Sequence, residues 1–298
     1  MRIVPLAVSL IALATAPVAR AGAVGPDPGA SEPATQAAAL NHVYVVVDAE
    51  TFAVFRDSAE LAKLLGRTDG GLPDYAPPTP GADRVFFRGR RTYLEIFAPD
   101  NRFGEPVGKV GLAIGHDDPA AFEALDAAWR ATCREEFTRT PVSYRRAEPP
   151  VPWYDAVQCD ETAAGDHLSV WAMVYLPQFH AWQTGDVAGA PRTARAEILA
   201  PRAAQGQGRF DIIGLSLDVT PEIFDRLAEQ LTQAGLIRQD TTDGAVLRGS
   251  DWALELGRSD QPQLRAIDFS TGSALAEPLT LGGGRLLPHV VGQMRWAP

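Results

Sequence analysis

The stretch FFRGRRTYLEIF, residues 86–97, combines a tight turn with a strand that carries a glutamate, Glu95, among apolar residues. A second stretch, VLRGSDWALELG, residues 246–257, repeats this pattern 160 residues later without a gap. The matching positions are Arg88 and Arg248, Gly89 and Gly249, Leu94 and Leu254, and Glu95 and Glu255. An acid at the same place in the same pattern indicates that the chain is built from a duplicated unit.

The first residues of the chain have the features of a secretory signal peptide. A basic start at Arg2 precedes an apolar run, and small residues occupy both cleavage positions of Ala19-Arg20-Ala21. We therefore predict a signal peptide over 1–21, a flexible Pro-rich leader over 22–39, and export to the periplasm or the extracellular space. The apolar run is shorter than a membrane-spanning helix requires, which argues against an uncleaved anchor.

Charge and composition narrow the choice of partners. The chain of 298 residues is 46% hydrophobic and 21% charged, which is typical of a soluble globular protein, and its net charge is −10. Cleavage after Ala21 removes two arginines and no acids, so the charge becomes −12. An acidic balance without a basic stripe argues against nucleic acid and, once the signal peptide is cleaved, against an anionic membrane. A small-molecule ligand is the partner that we expect.

The two cysteines, Cys133 and Cys159, admit two interpretations. Export exposes them to an oxidising compartment, where a disulfide that closes a loop of 26 residues would stabilise the fold by ~3 kcal/mol. Alternatively they are two separate buried thiols, because Cys133 lies on the apolar stripe of a predicted helix. Both interpretations stay open at this point.

Three segments of the chain open with an apolar strand that leads into a helix, at residues 41–48, 109–116 and 211–218. Short strands with turn residues between them follow each helix. We predict an α+β fold of repeated β-α-β-β-β modules, which form open, curved, mixed sheets with helices on one face.

The modules divide the chain into two parts. Residues 40–185 hold two paired modules, and residues 186–298 hold the third module and a degenerate fourth unit that has strands only. The sequence leaves open whether modules pair within one chain or across a homodimer.

Strand alternation assigns side chains to the two faces of the predicted sheets. In the first strand Val43, Val45 and Val47 form an apolar face that we expect to cover the helix. His42 lies on the opposite face, and Glu95 lies on the corresponding face of its own strand. If this face curls into a bowl, the imidazole and the carboxylate approach each other inside it.

Three aromatic residues, Tyr44, Tyr93 and Trp171, are candidates for the wall of such a bowl, because aromatic side chains commonly line small-molecule sites. Ordinary packing in the core is the alternative for each of them. In the third module the same alternation places Ile212, Gly214 and Ser216 on the face away from the helix.

The sequence resembles the vicinal-oxygen-chelate superfamily, which includes glyoxalase I, methylmalonyl-CoA epimerase, extradiol dioxygenases and bleomycin-resistance proteins. The resemblance lies in LNHVYVVVD, RVFFRGRRTYLEIFAP and GKVGLAIGHDD, covers roughly residues 40–135 and, more loosely, 208–270, and is closest to uncharacterised exported bacterial proteins. It implies paired β-α-β-β-β modules around a bowl. In metal-using members a His or Gln on the first strand and a Glu on the last strand of each module bind one divalent ion.

The resemblance implies His42 and Glu95 as ligands of such an ion, which is the one cofactor that it suggests. The other modules depart from this pattern, with Gly111 and either Met173 or Val174 in the second, and Ile212 and Glu255 in the third. Glu255 alone keeps a ligand type, and its duplication explains it better than metal binding. No pairing of modules supplies all four protein ligands.

Three functions are compatible with these observations. The first is an exported protein that binds a small, partly apolar or aromatic molecule in the bowl without an essential metal. The second is a divalent-metal-dependent lyase, isomerase or dioxygenase, in which an ion held by His42 and Glu95 polarises a substrate oxygen or activates water. The third is a structural module without a ligand. The incomplete ligand set favours binding and leaves enzymatic activity open.

Overall fold

The computed structural model describes residues 38–72, 74–159, 167–186, 188–189, 191–203 and 207–298. The predicted signal peptide, and the predicted leader up to residue 37, lie outside the described residues. Within the described ranges no helix has the length and apolar character needed to cross a membrane. Two mixed sheets and six α-helices account for the regular structure of this part of the chain, and neither sheet closes into a barrel, which confirms the predicted α+β class.

The first sheet has seven strands, which belong to the first two modules. In chain order they are β1 (Ala39–Val46), β2 (Arg84–Arg88), β3 (Tyr93–Phe97), β4 (Val110–Gly115), β5 (Thr138–Tyr144), β6 (Val151–Gln158) and β7 (Leu168–Tyr175). Across the sheet the order is β2-β3-β1-β4-β7-β6-β5. Strand β1 is parallel to β3 and antiparallel to β4, so the two modules meet along β1 and β4.

The second sheet has eight strands, which belong to the third and fourth units. They are β8 (Phe210–Val219), β9 (Ile237–Asp240), β10 (Gly244–Arg248), β11 (Ala253–Arg258), β12 (Gln263–Thr271), β13 (Leu279–Leu281), β14 (Gly284–Pro288) and β15 (Gln293–Ala297). Strand β8 is parallel to β11 and antiparallel to β12, which repeats the arrangement around β1. The modules therefore pair within one chain.

Six helices connect or cover the strands. They are α1 (Ala49–Asp57), α2 (Ala59–Leu65), α3 (Pro119–Cys133), α4 (Pro177–Thr184), α5 (Arg195–Ala203) and α6 (Pro221–Gln233). Asp48 and Asp118 cap α1 and α3, because their carboxylates accept hydrogen bonds from the backbone N–H groups of Thr51 and Ala120, both at 2.9 Å.

One hydrophobic core contains apolar residues of both sheets and of helices α1, α3 and α6. Val43 and Val45 belong to it, so the apolar face of β1 meets the helices as expected from alternation. The indole N–H of Trp129 in α3 donates to the carbonyl of Gln230 in α6 at 3.3 Å. Because the core occupies this face of the first sheet, the opposite face is left for a cavity.

A disulfide joins Cys133, at the end of α3, to Cys159, which follows β6, with the Cα atoms 5.7 Å apart. This separation lies within the range that disulfides adopt. Of the two interpretations of the cysteines, the structure has the bonded one. The link ties the end of β6 to α3, which packs against the core through Phe122, Leu125 and Trp129.

The repeated Arg-Gly turns dock on the opposite half of the molecule. In the turn between β2 and β3, a Cβ on Gly89 would lie 2.4 Å from the carbonyl oxygen of Phe210, at the start of β8. In the turn between β10 and β11, a Cβ on Gly249 would lie 2.4 Å from the carbonyl oxygen of Ala38, just before β1. Only glycine permits either approach, so the repeated motif forms a reciprocal contact between the two halves.

A β-bulge lies at the same place in β1 and in β8. Opposite β4, Leu40 pairs with Ile114 and His42 with Ala113, which leaves Asn41 as the extra residue. Opposite β12, Ile213 is the extra residue. The prediction that Ile212 replaces His42 in the third module was wrong, because the bulge turns Ile212 to the opposite face from Gly214. The counterpart of His42 is Gly214, and Ile212 lies in the core.

Candidate functional site

The face of the first sheet that points away from the helices is lined by aromatic rings, and small residues on β4 make room for them. Gly111 lies under the ring of Tyr44, so closely that a Cβ at this position would be 1.9 Å from the ring. Ala113 lies between His42 and Trp171 in the strand register, and the rings of these two residues meet edge to face at 5.2 Å. The ring of Tyr44 therefore occupies the space that a ligand side chain would need at Gly111, the first ligand position of the second module.

A cavity of about 910 Å³ opens on this face. Strands β5 and β6 form one wall, and Phe179 of α4 with Ile198 and Leu199 of α5 close part of it. Its aromatic lining consists of Tyr44, Tyr75, Phe86, Tyr93, Phe97, Phe103, Tyr144, Trp153, Tyr154, Trp171, Tyr175 and Phe179. The volume matches that of small-molecule sites, and the lining combines these rings with charged and polar side chains.

The cavity brings together five residues that the sequence singles out: His42, Glu95, Tyr44, Tyr93 and Trp171. Nε2 of His42 lies 4.0 Å from Oε1 of Glu95, and both side chains are about nine-tenths buried. The ring of Tyr93 stacks on the imidazole with centroids 4.3 Å apart. The separation of Nε2 and Oε1 exceeds that of a hydrogen bond, so these two groups are close without being bonded to each other.

Burial governs the protonation of both groups. Desolvation, followed by the positive charge of Arg88, lowers the pKa of His42 from 6.5 to about 3. Desolvation also raises the pKa of Glu95 from 4.5 to about 7, although the charges of Arg84 and Arg88 act in the opposite direction. At neutral pH the imidazole is uncharged, and the pair is therefore not a salt bridge despite its short separation.

A buried ion pair supports the cavity next to Glu95. The guanidinium of Arg88 donates to the carboxylate of Asp69 at 2.8 and 3.2 Å, and Asp69 has no exposed surface. The guanidinium carbon also lies 4.6 Å from the ring centroid of Phe86 and 5.2 Å from that of Tyr93. This contact occupies aromatic faces that would otherwise be available to a cationic ligand.

Sequence reasoning missed three residues that shape the site: Asn41, Asp69 and Arg88. Oδ1 of Asn41 accepts hydrogen bonds from Nδ1 of His42 at 2.9 Å and from the hydroxyl of Tyr175 at 3.4 Å. A signal existed for Arg88 alone, because it belongs to the repeated motif, whereas its counterpart Arg248 is exposed. Asn41 and Asp69 gave no such signal, because the residues that they contact are remote in sequence or are brought near them by the bulge.

Glu255 does not belong to this site. It lies on β11 in the second sheet, where it is exposed and accepts a hydrogen bond from the hydroxyl of Ser216 at 2.8 Å. On the same face Arg295 donates to the carboxylate of Asp268 through two hydrogen bonds of 2.7 Å. The Asp268 side chain packs on Gly214, the counterpart of His42.

The donor set on the first sheet does not fit a divalent ion. His42 and Glu95 are the two groups that converge, whereas a catalytic zinc site uses three protein ligands. Across the described ranges no group of three or more His, Cys, Asp or Glu side chains is arranged to hold a metal ion. In the second module Gly111, under the Tyr44 ring, occupies the first position. Glu95 pairs with Tyr44, two residues after His42, and in the second module Trp171 pairs with Ala113, two residues after Gly111. Trp171, and not Met173 or Val174, therefore stands at the last-strand position.

Fold and site together define a class of protein: two mixed sheets built from paired modules, with an aromatic cavity on one of them. A family model, the family of unknown function DUF5829, matches residues 40–286, and the chain belongs to that family. No curated protein matches the sequence.

Several solved structures are similar in fold. A hypothetical protein from Staphylococcus aureus has a TM-score of 0.52 and 9% identity over 86% of this chain and 97% of that one. An extradiol ring-cleaving dioxygenase from Brevibacterium fuscum has a TM-score of 0.42 and 12% identity over 83% of this chain and 60% of its own. A 4-hydroxymandelate synthase variant from Streptomyces coelicolor has a TM-score of 0.42 and 15% identity, over 77% and 70%. The likeness concerns the fold alone.

Proposed function

We propose that this chain is an exported protein that binds a small, planar, partly apolar molecule in the cavity of its first sheet. The observation that carries the proposal is the cavity of about 910 Å³, in which His42 and Glu95 lie 4.0 Å apart among aromatic rings. An apolar pocket with a few convergent polar groups is the usual form of a small-molecule site, because the rings supply contact area and the polar groups orient the ligand.

We further propose a vicinal-oxygen-chelate-like fold. Its support is the module arrangement, in which β1 and β4, and likewise β8 and β12, meet antiparallel at the centre of a sheet. Export is proposed from the signal-like residues 1–21 and is compatible with the disulfide between Cys133 and Cys159. The metal-dependent alternative lacks comparable support, since two convergent ligands do not make a divalent-ion site.

Binding of Nile red, a neutral planar fluorophore, tests this proposal on the purified exported form of the protein. We expect saturable binding with a rise in fluorescence, and at least a tenfold loss of affinity in Trp171→Ala, because this ring forms part of the wall. Glu255→Gln is the control, since it changes an exposed residue on the second sheet, outside the cavity, and should bind Nile red like the wild type. Equal binding by all three proteins would place the dye elsewhere and refute the proposal.

A further inference from the structure

The hydrogen bonds of Asn41 fix the tautomer of His42. Oδ1 of Asn41 is the acceptor for two groups, Nδ1 of the imidazole and the hydroxyl of Tyr175. A neutral imidazole carries one proton, and here that proton lies on Nδ1, so Nε2 presents its lone pair. The bulge at Asn41 makes this contact, because it leaves the residue outside the ladder between β1 and β4.

Nε2, which carries this lone pair, lies 4.0 Å from Oε1 of Glu95. Above the pKa of Glu95, about 7, the carboxylate is ionised and both groups are acceptors, so one donor placed between them can bond to both. A nitrogen about 2.8 Å from each atom would make two hydrogen bonds that diverge by roughly 90°. An N–H2 group has two diverging hydrogens and can satisfy both acceptors, whereas a single O–H can donate to one.

We infer that the ligand of this cavity is a neutral planar molecule with an amide or arylamine N–H2 group, which lies between Nε2 of His42 and the carboxylate of Glu95. This inference rests on the proposed binding function. A positive charge is disfavoured by Arg88, whose guanidinium lies over the faces of Phe86 and Tyr93, and by Arg84, which lies 5.2 Å from the Phe86 ring centroid. A negative charge beside the N–H2 group is disfavoured by the ionised carboxylate of Glu95. Both arginines are placed to repel a cationic ligand, while Asp69 is already paired with Arg88.

A graded series of naphthamides tests the inference by competition with Nile red. 2-Naphthamide, its N-methyl derivative and its N,N-dimethyl derivative keep one aromatic core and offer two, one and no N–H donors. We expect the affinity to fall about tenfold with each N–H removed, the value of one buried hydrogen bond to these acceptors. In His42→Phe, which keeps a ring to stack on Tyr93, and in Glu95→Met, we expect the difference along the series to shrink at least fivefold.

Each outcome separates the inference from the function on which it rests. If none of the amides displaces Nile red, and Trp171→Ala leaves the dye unaffected, both fail. If all three amides bind equally to the wild type, the function stands and the inference is overturned, because a water or a side chain then fills the gap. Tighter binding of 2-naphthol, or of the cation of 2-(aminomethyl)naphthalene, than of 2-naphthamide also overturns it. The series on the wild type needs no variant to fold.

Discussion

The two sheets share one backbone plan but differ in what lies over their open faces. In the first sheet Glu95 is buried beside His42 under aromatic rings, and helices α4 and α5 cover part of the cavity. In the second sheet Glu255 is exposed, Gly214 replaces the histidine, and Asp268 with Arg295 forms an ion pair over the same face. The same carboxylate at the same strand position therefore has different chemistry, because only the covered face removes it from water.

Removal of one partner of the ion pair on each sheet should affect stability very differently. Asp69→Asn should lower the free energy of unfolding by about 3–5 kcal/mol, since it leaves the Arg88 guanidinium buried without its counter-charge. Asp268→Asn should cost at most about 1 kcal/mol, because Arg295 is partly exposed and water screens the pair. Urea denaturation measures both values, and losses of equal size would contradict the distinction between the faces.

The pH dependence of stability should report the burial of Glu95 in the first sheet. The pKa of Glu95 rises from 4.5 in the unfolded chain to about 7 in the folded protein, so the folded state binds the extra proton. Its contribution to stability is complete below pH 4.5 and is lost as the pH rises through 7, a change of about 3 kcal/mol.

Substitution of Glu95 by glutamine isolates this effect. Glu95→Gln has no proton to lose at this position, so its unfolding free energy should fall about 3 kcal/mol less than that of the wild type between pH 4.5 and 8. Parallel curves for the wild type and Glu95→Gln, measured by urea unfolding at each pH, would mean that Glu95 is solvated.

The smallest expected effect concerns the two glycines of the central strands. In Gly111→Ala the new methyl group would collide with the Tyr44 ring, and displacement of that ring should cost about 1–3 kcal/mol and weaken Nile red binding. In Gly214→Ala the nearest atom is a carboxylate oxygen of Asp268 at 2.9 Å, which can rotate away, so the cost should stay under about 1 kcal/mol. Thermal unfolding measures the stability of both variants, and dye titration measures binding by Gly111→Ala. Equal losses of stability in the two variants would contradict the expected difference.

Alternation and the repeat were sufficient to predict the fold class and to place His42 and Glu95 on one face. Both properties are local, because the side chains of a strand alternate whatever surrounds it. The bulge was not predictable in this way, and it turns Ile212 to the core face, so the predicted equivalence of Ile212 and His42 was wrong. A bulge depends on the register with β12, whose residues lie about fifty positions away in the chain.

The sequence also did not predict that helices α4 and α5 cover part of the cavity. Helix α5 has a proline in its interior, Pro201, and the segment between β7 and β8 belongs to neither repeated unit. Arg88 and Arg248 occupy the same place in the motif, yet the first is buried and the second is exposed. The difference in burial is due to Asp69, which lies in a loop and accepts a hydrogen bond from Arg88. The sequence around Asp69 has no recognisable pattern.

The reciprocal docking of the Arg-Gly turns gives the chain the geometry of a two-fold dimer fused into a single polypeptide. The carbonyl of Phe210 packs on Gly89, and the carbonyl of Ala38 packs on Gly249. Each half therefore contributes one glycine and one carbonyl to the contact. Because the two halves are covalently fused, their sequences can differ, provided that both glycines are retained. One half could thus acquire a hollow and a polar pair while the other kept the scaffold in place.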